Sequence, residues 1–186
     1  MELQELKEVL RCSGIDASLF GKGQAKTLEA LLNEINNPRE GVKLVTTVIG
    51  DVYRMVEVFN IHVFYRHDDK RLRLREALQI FNDGRFRARL ERLAAISEKM
   101  HSNESYWDGV ARALHEELGI VEEINLECIK AVENSVIEKV SQSFPGLVST
   151  YNIHRVNYFM EKKFFCPEGY VEVQKDKKTY FVWEEV

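Results

Sequence analysis

Apolar residues recur at helical spacing through residues 1–40. Leu3, Leu6, Val9 and Leu10 line one side of a first run that stops at Ser13-Gly14. Leu28, Leu31, Leu32 and Ile35 repeat at i, i+3, i+4 and i+7 in a second run. The pattern predicts two amphipathic helices, and Asn36-Asn37-Pro38-Arg39-Glu40-Gly41 reads as the linker after them. The connector between the runs contains Gly21-Lys22-Gly23, which invites a phosphate-loop reading. A phosphate loop needs Ser or Thr after its lysine and a strand before it; neither is present, so a tight glycine connection fits better.

From Val42 the texture changes. Residues 42–50 and 51–65 are rich in Val, Ile, Phe, Tyr and Thr, as strands require. Two leucine- and arginine-rich runs then flank Asn82-Asp83-Gly84, the signature of a hairpin with a three-residue turn and Gly84 in the left-handed position. Strict alternation places Leu72, Leu74, Leu78 and Ile80 on one face with Phe86, Ala88 and Leu90. Arg71, Arg73, Arg75, Arg85, Arg87 and Arg89 fall on the other. Residues 104–118 return to helical spacing, with Trp107, Val110, Ala111, Leu114 and Leu118 as one apolar stripe and Gly119 at the C-terminal cap. Strand patterns come next at 124–140, 147–159, 170–173 and 179–183, the last two joined by the polar turn 174–178. The sum is an α+β chain: an N-terminal helical arm over 1–40 and one sheet-containing domain over 41–186.

Composition narrows this picture. The 186 residues are 45% hydrophobic and 30% charged, enough for a folded core and outside the range of disordered chains. No apolar run approaches the roughly 18–20 residues of a membrane span, and the MELQELKEVLR start is amphipathic rather than signal-like. Cys12, Cys128 and Cys166 are scattered and odd in number, which argues against a disulfide framework and for a reduced, cytoplasmic protein without membrane association. The net charge of −4 hides a split. Residues 70–92 carry eight basic side chains, Arg92 among them, against Glu76, Asp83 and Glu91. Residues 104–138 carry nine carboxylates against Arg112 and Lys130. A basic strip and an acidic strip either neutralise each other or build a site where metal meets phosphate.

The acidic strip holds the informative spacing. Asp108 and Glu116 flank Arg112 at i±4, so one guanidinium can steady both. Glu116 and Glu117 are adjacent on the polar side of the helix, and paired carboxylates beside an arginine suit a hard divalent cation. The segment resembles the Nudix box, G-x5-E-x7-R-E-U-x-E-E-x-G-U with U a bulky aliphatic residue. Glu104, Arg112, Leu114, Glu116, Glu117, Gly119 and Ile120 stand at matching positions. Two positions depart: Glu98 stands for the opening Gly, and Ala113 for the Glu after Arg. The resemblance covers 41–186 and implies an α/β/α sandwich with a mixed sheet. It also implies a Mg²⁺- or Mn²⁺-dependent hydrolase that cleaves the pyrophosphate bond of a nucleoside diphosphate derivative.

Carried over by position, Glu116 and Glu117 would be metal ligands, Arg112 would orient them, and Glu104 would be a further ligand or supporting acid. Ala113 removes a carboxylate from the centre of such a site. Either Glu98 supplies the missing one, or catalysis is weakened or lost and the domain is a nucleotide- or protein-binding module. The arginines, Arg85, Arg87 and Arg89 in particular, either grip substrate phosphates or form a solubilising outer face that discourages edge pairing. A nucleotide-like small molecule is the expected partner, with a protein or a second copy of the chain as the alternative. A sequence pI of about 5.8 and the lack of an aromatic–basic RNA motif argue against nucleic acid. The five histidines show no HExxH spacing, which argues against zinc. His154-Arg155 is either substrate-facing or packed in its strand.

Overall fold

The computed structural model describes residues 1–89 and 94–186, so Leu90, Glu91 and Arg92 of the hairpin pattern lie outside the described residues. The fold is α+β. Its helices are α1 (Leu3–Cys12), α2 (Leu28–Asn36) and α3 (Tyr106–Leu118). Its strands are β1 (Val42–Thr46), β2 (Val52–His67), β3 (Lys70–Phe81), β4 (Phe86–Ala88), β5 (Ile96–Lys99), β6 (Ile129–Val140), β7 (Val148–Phe159), β8 (Tyr170–Val173) and β9 (Lys177–Glu185). Strand β5 escaped the sequence pattern because four residues are too few to show alternation. Strand β6 starts later than expected, since residues 126–128 form a 3-10 turn. The described chain divides into two compact units: Met1–Val58 with Lys99–Glu104 and Asn134–Ile153, and Phe59–Glu98 with Ser105–Glu133 and His154–Val186.

In the first unit the helices do not stand apart as an arm. Leu6 and Leu10 of α1 and Leu28 and Leu31 of α2 share a core with Phe20, Val52, Phe144 and Leu147. Thr27 caps α2 by accepting from Ala30 N–H at 3.1 Å. The capped helix presents Glu34 to this interior. Glu34 is 7% exposed, and its carboxylate meets Lys26 Nζ at 2.6 Å and Arg54 Nη2 at 2.6 Å. Arg54 is itself buried, so the pair exists because each charge satisfies the other away from water.

In the second unit β3 pairs antiparallel with the Phe64–His67 end of β2, with β4 and with β9, β9 pairs with β8, and α3 lies against β8. The hairpin turn forms as the sequence predicts: Phe81 N–H donates to Arg85 O at 2.8 Å, and Gly84 adopts φ of 86°. Leu78 lies opposite Ala88 and Ile80 opposite Phe86, also as expected. The face assignment of the six arginines is wrong, and the cause is one residue. Glu76 pairs with Phe181 whereas Leu78 pairs with Tyr180, so Ala77 is an extra residue in β3. Because Phe181 and Tyr180 are neighbours in β9 and point to opposite sides, the bulge reverses every later side chain of β3. Leu72, Leu74, Glu76 and Gln79 therefore share a face, and Arg73 and Arg75 share the other with Leu78, Ile80 and Phe86. Both Arg73 and Arg75 are bound to Glu184 there. Phe86 and Ala88, expected to share a face with Leu72 and Leu74, are exposed.

Burial raises the carboxyl pKa of Glu34, but the hydrogen bonds and charges of Lys26 and Arg54 outweigh it and hold the group below its ordinary 4.5. A depressed carboxyl stabilises the fold above its unfolded pKa and loses that contribution as pH falls through the folded one. Glu34→Gln is expected to cost about 3–5 kcal/mol in urea unfolding at neutral pH, because Arg54 is left buried opposite a neutral amide. The deficit is expected to shrink on acidification; a deficit independent of pH would contradict this account.

Candidate functional site

Helix α3 starts where Ser105 caps it: the hydroxyl accepts from Asp108 N–H at 3.2 Å and donates to the Asp108 carboxylate at 2.6 Å. It ends at Gly119, whose φ of 69° is the left-handed cap the sequence predicts. Its buried side is Gly109, Val110, Ala113, Leu114 and Leu118. Trp107, expected in that stripe, is 42% exposed, although it stands two turns before Leu114 on the same side of the helix.

Consecutive residues on a helix diverge by about 100°, so Glu116 and Glu117 point apart. Glu116 is exposed and accepts from Arg112 Nη1 at 2.7 Å. The same Arg112 nitrogen lies 4.0 Å from Glu98 Oε1 on β5. Glu117 is half-buried and lines a cavity of about 240 Å³ with Glu76, Glu98 and Glu172. Arg89, Lys177, Gln79 and Thr179 also line it, and Ala95 is the one apolar side chain among its described lining residues. Arg89 Nε stands 3.4 Å from Glu76 Oε1.

The electrostatics arise from this crowding. Burial, then the charges of Glu172 and Glu98, a hydrogen bond to Glu172 and the charge of Glu76 push the Glu117 carboxyl up to about 8. The Glu117 carboxyl shares a hydrogen bond with that of Glu172. The structure thus brings together Glu98, Arg112 and Glu117, with Glu116 on the outer side of Arg112. Glu104 belongs to the first unit, where its carboxylate accepts from His101 N–H at 3.1 Å. Of the hairpin arginines, Arg89 reaches the cavity, Arg85 is exposed and bound to Asp83 at 2.7 Å, and Arg87 is exposed opposite Gln79. His154 is packed against Phe59 and Tyr106, and Arg155 is paired with Glu133.

Sequence reasoning missed Glu76, Glu172, Gln79 and Thr179. A signal for the first was present: Glu76 continues the apolar positions Leu72 and Leu74 at i+2, where a buried strand face has no use for a lone acid. Glu172 and Thr179 become site residues only through pairing. The donor set is all oxygen and rich in carboxylate, the chemistry of a hard divalent cation. The carboxyls are not drawn to a common point: among the described residues no group of three or more His, Cys, Asp or Glu is arranged to hold a metal ion. The donors suit Mg²⁺ or Mn²⁺ in kind, and a cation would have to draw them together. Among the described residues no helix is long and apolar enough to cross a membrane.

The fold and site define an α+β protein with a carboxylate-lined cavity beneath the helix that resembles the Nudix box. No protein-family model matches the chain, and no curated protein does. Among solved structures it is similar to an Ap4A hydrolase of C. elegans, at 14% identity over 70% of this chain and 80% of that one, with a TM-score of 0.33. It is also similar to the NUDIX domain of Shewanella oneidensis NrtR complexed with ADP ribose, at 11% identity over 70% and 73% with a TM-score of 0.34. A third is T. brucei MERS1 in complex with RNA, at 15% identity over 55% and 34% with a TM-score of 0.35. At these identities a likeness concerns the fold alone, and the chemistry is that of the cavity's own residues.

A carboxyl raised from 4.5 to about 8 makes the folded state bind more protons than the unfolded chain between those values, so stability falls as pH rises through that window. Glu117→Gln removes this dependence. In EDTA, the variant is expected to melt above the parent at about pH 9 and to lose that advantage at about pH 4. Parallel melting curves at both pH values would contradict the assignment.

Proposed function

We propose that the chain is a divalent-metal-dependent hydrolase of the Nudix type, cleaving the pyrophosphate bond of a nucleoside diphosphate derivative. The observation that most supports this reading is the cavity itself. The helix resembling the Nudix box directs Glu117 into a space already occupied by Glu76, Glu98 and Glu172. Like charges gathered out of water are unfavourable unless a proton or a cation joins them.

In this reading Glu117 and Glu98, with the sheet carboxylates, would hold Mg²⁺ or Mn²⁺. When bound, such a cation neutralises charge on the pyrophosphate and lowers the pKa of a water. Arg112 fixes Glu98 from the helix side, and Glu116 anchors Arg112 from outside. Glu116 therefore acts as a positioning residue rather than a ligand. Arg89 and Lys177 offer cationic contacts to phosphate oxygens at the cavity wall, and Arg85 and Arg87 extend that charge along the hairpin. Glu104 braces the loop that leads into α3. Three free cysteines suit a reducing compartment, the cytoplasm.

Fully buried Ala113 favours the second reading, a nucleotide-binding module without turnover. A phosphate-release screen over nucleoside diphosphate derivatives with Mg²⁺ and Mn²⁺ separates the two. The hydrolase reading expects turnover of at least one compound and a loss of about a hundredfold or more in Glu117→Gln, the scale of removing an acid–base group. Binding without turnover, or turnover that survives Glu117→Gln unchanged, would overturn it.

A further inference from the structure

The floor of the cavity carries polar side chains where a buried sheet face ordinarily carries Val or Ile. Thr179 of β9 lies directly opposite Glu172 of β8 on one side and Gln79 of β3 on the other. The three therefore form one row across three strands, with neighbours about 4.5–5.5 Å apart at Cβ. Thr179 is 2% exposed and Gln79 is 5% exposed. The Thr179 hydroxyl has no hydrogen-bond partner among the described residues, although it lines the cavity. A buried hydroxyl without a partner is costly and calls for an explanation. Glu117 lines the same cavity from the helix.

We infer that the row Gln79–Thr179–Glu172, with Glu117 above it, is the seat of a divalent cation, so that the sheet supplies the carboxylate that α3 lacks at Ala113. The inference rests on the metal-dependent reading above and adds to it the identity of the ligands, three of which lie outside the segment 98–120. Carboxylate, hydroxyl and amide carbonyl oxygens suit Mg²⁺ or Mn²⁺, with waters completing the shell. Arg89 stands beside Glu76 at the cavity wall, and Glu172, which accepts from Gln174 Nε2, is the strand carboxylate directly beside the Thr179 hydroxyl.

The test is titration of the full EDTA-stripped chain with Mn²⁺ alone, reading the free-ion signal by electron paramagnetic resonance and melting temperature in parallel. The expected result is one Mn²⁺ site whose affinity falls about tenfold or more in Glu172→Gln and severalfold in Thr179→Val. Thr179→Val is close in shape and is expected to melt no lower than the parent in EDTA, because its hydroxyl has no protein partner to lose. If both variants bind Mn²⁺ like the parent while Glu116→Gln loses it, the sheet-borne seat is overturned and the hydrolase reading stands. If Thr179→Val melts lower in EDTA and binds Mn²⁺ unchanged, the hydroxyl is structural and the seat as drawn is overturned. If the parent binds no Mn²⁺, both readings fall together.

Discussion

Ala77 is the residue on which the arrangement of the second unit turns. Glu76 opposes Phe181 and Leu78 opposes Tyr180, so one extra residue turns β3 over between them. Without it, strict alternation would send Glu76 and Gln79 to opposite sides of the sheet. With it, both line the same cavity, while Arg73 and Arg75, which precede the bulge, meet Glu184 on the opposite face. A bulge of this kind re-aims side chains at the cost of one unpaired position, and such bulges gather beside functional sites for that reason.

The two units handle a buried carboxylate in opposite ways. Glu34 lies between Lys26 and Arg54, whose combined charge outweighs desolvation and keeps it ionised. Such a group is complete; it needs nothing from solution. Glu117 meets Glu172, Glu98 and Glu76, so desolvation and like charge act together and both raise its carboxyl pKa. That group is stable only in company it has to share, a proton in the bare protein or a cation from solution. The difference in the direction of the two shifts is what separates a structural charge from a candidate site.

Much of the local structure was legible because short-range chemistry decides it. The caps of α3, the left-handed Gly84 and Gly119, and the pairing of Leu78 with Ala88 all depend on residues within a few positions of one another. The spacing of Arg112, Glu116 and Glu117 was equally readable. Less so was which way each would point: adjacent carboxylates diverge, and Glu116 faces solvent while Glu117 faces the cavity. Trp107 misled because apolar character says that a side chain can be buried, not that a neighbour will cover it.

By itself, then, the sequence determined most of the elements, the Gly119 cap, the hairpin turn and the helix that bears the chemistry, since propensity, turn geometry and helical period act over a few residues. Tertiary structure alone decided the faces of β3, because a bulge is defined by the partner strand and not by the strand that contains it. It also decided the partners of Glu117. Glu76 is distant in the chain from Glu172 and Thr179, and the three carry no shared motif; strand register is what sets them on one floor.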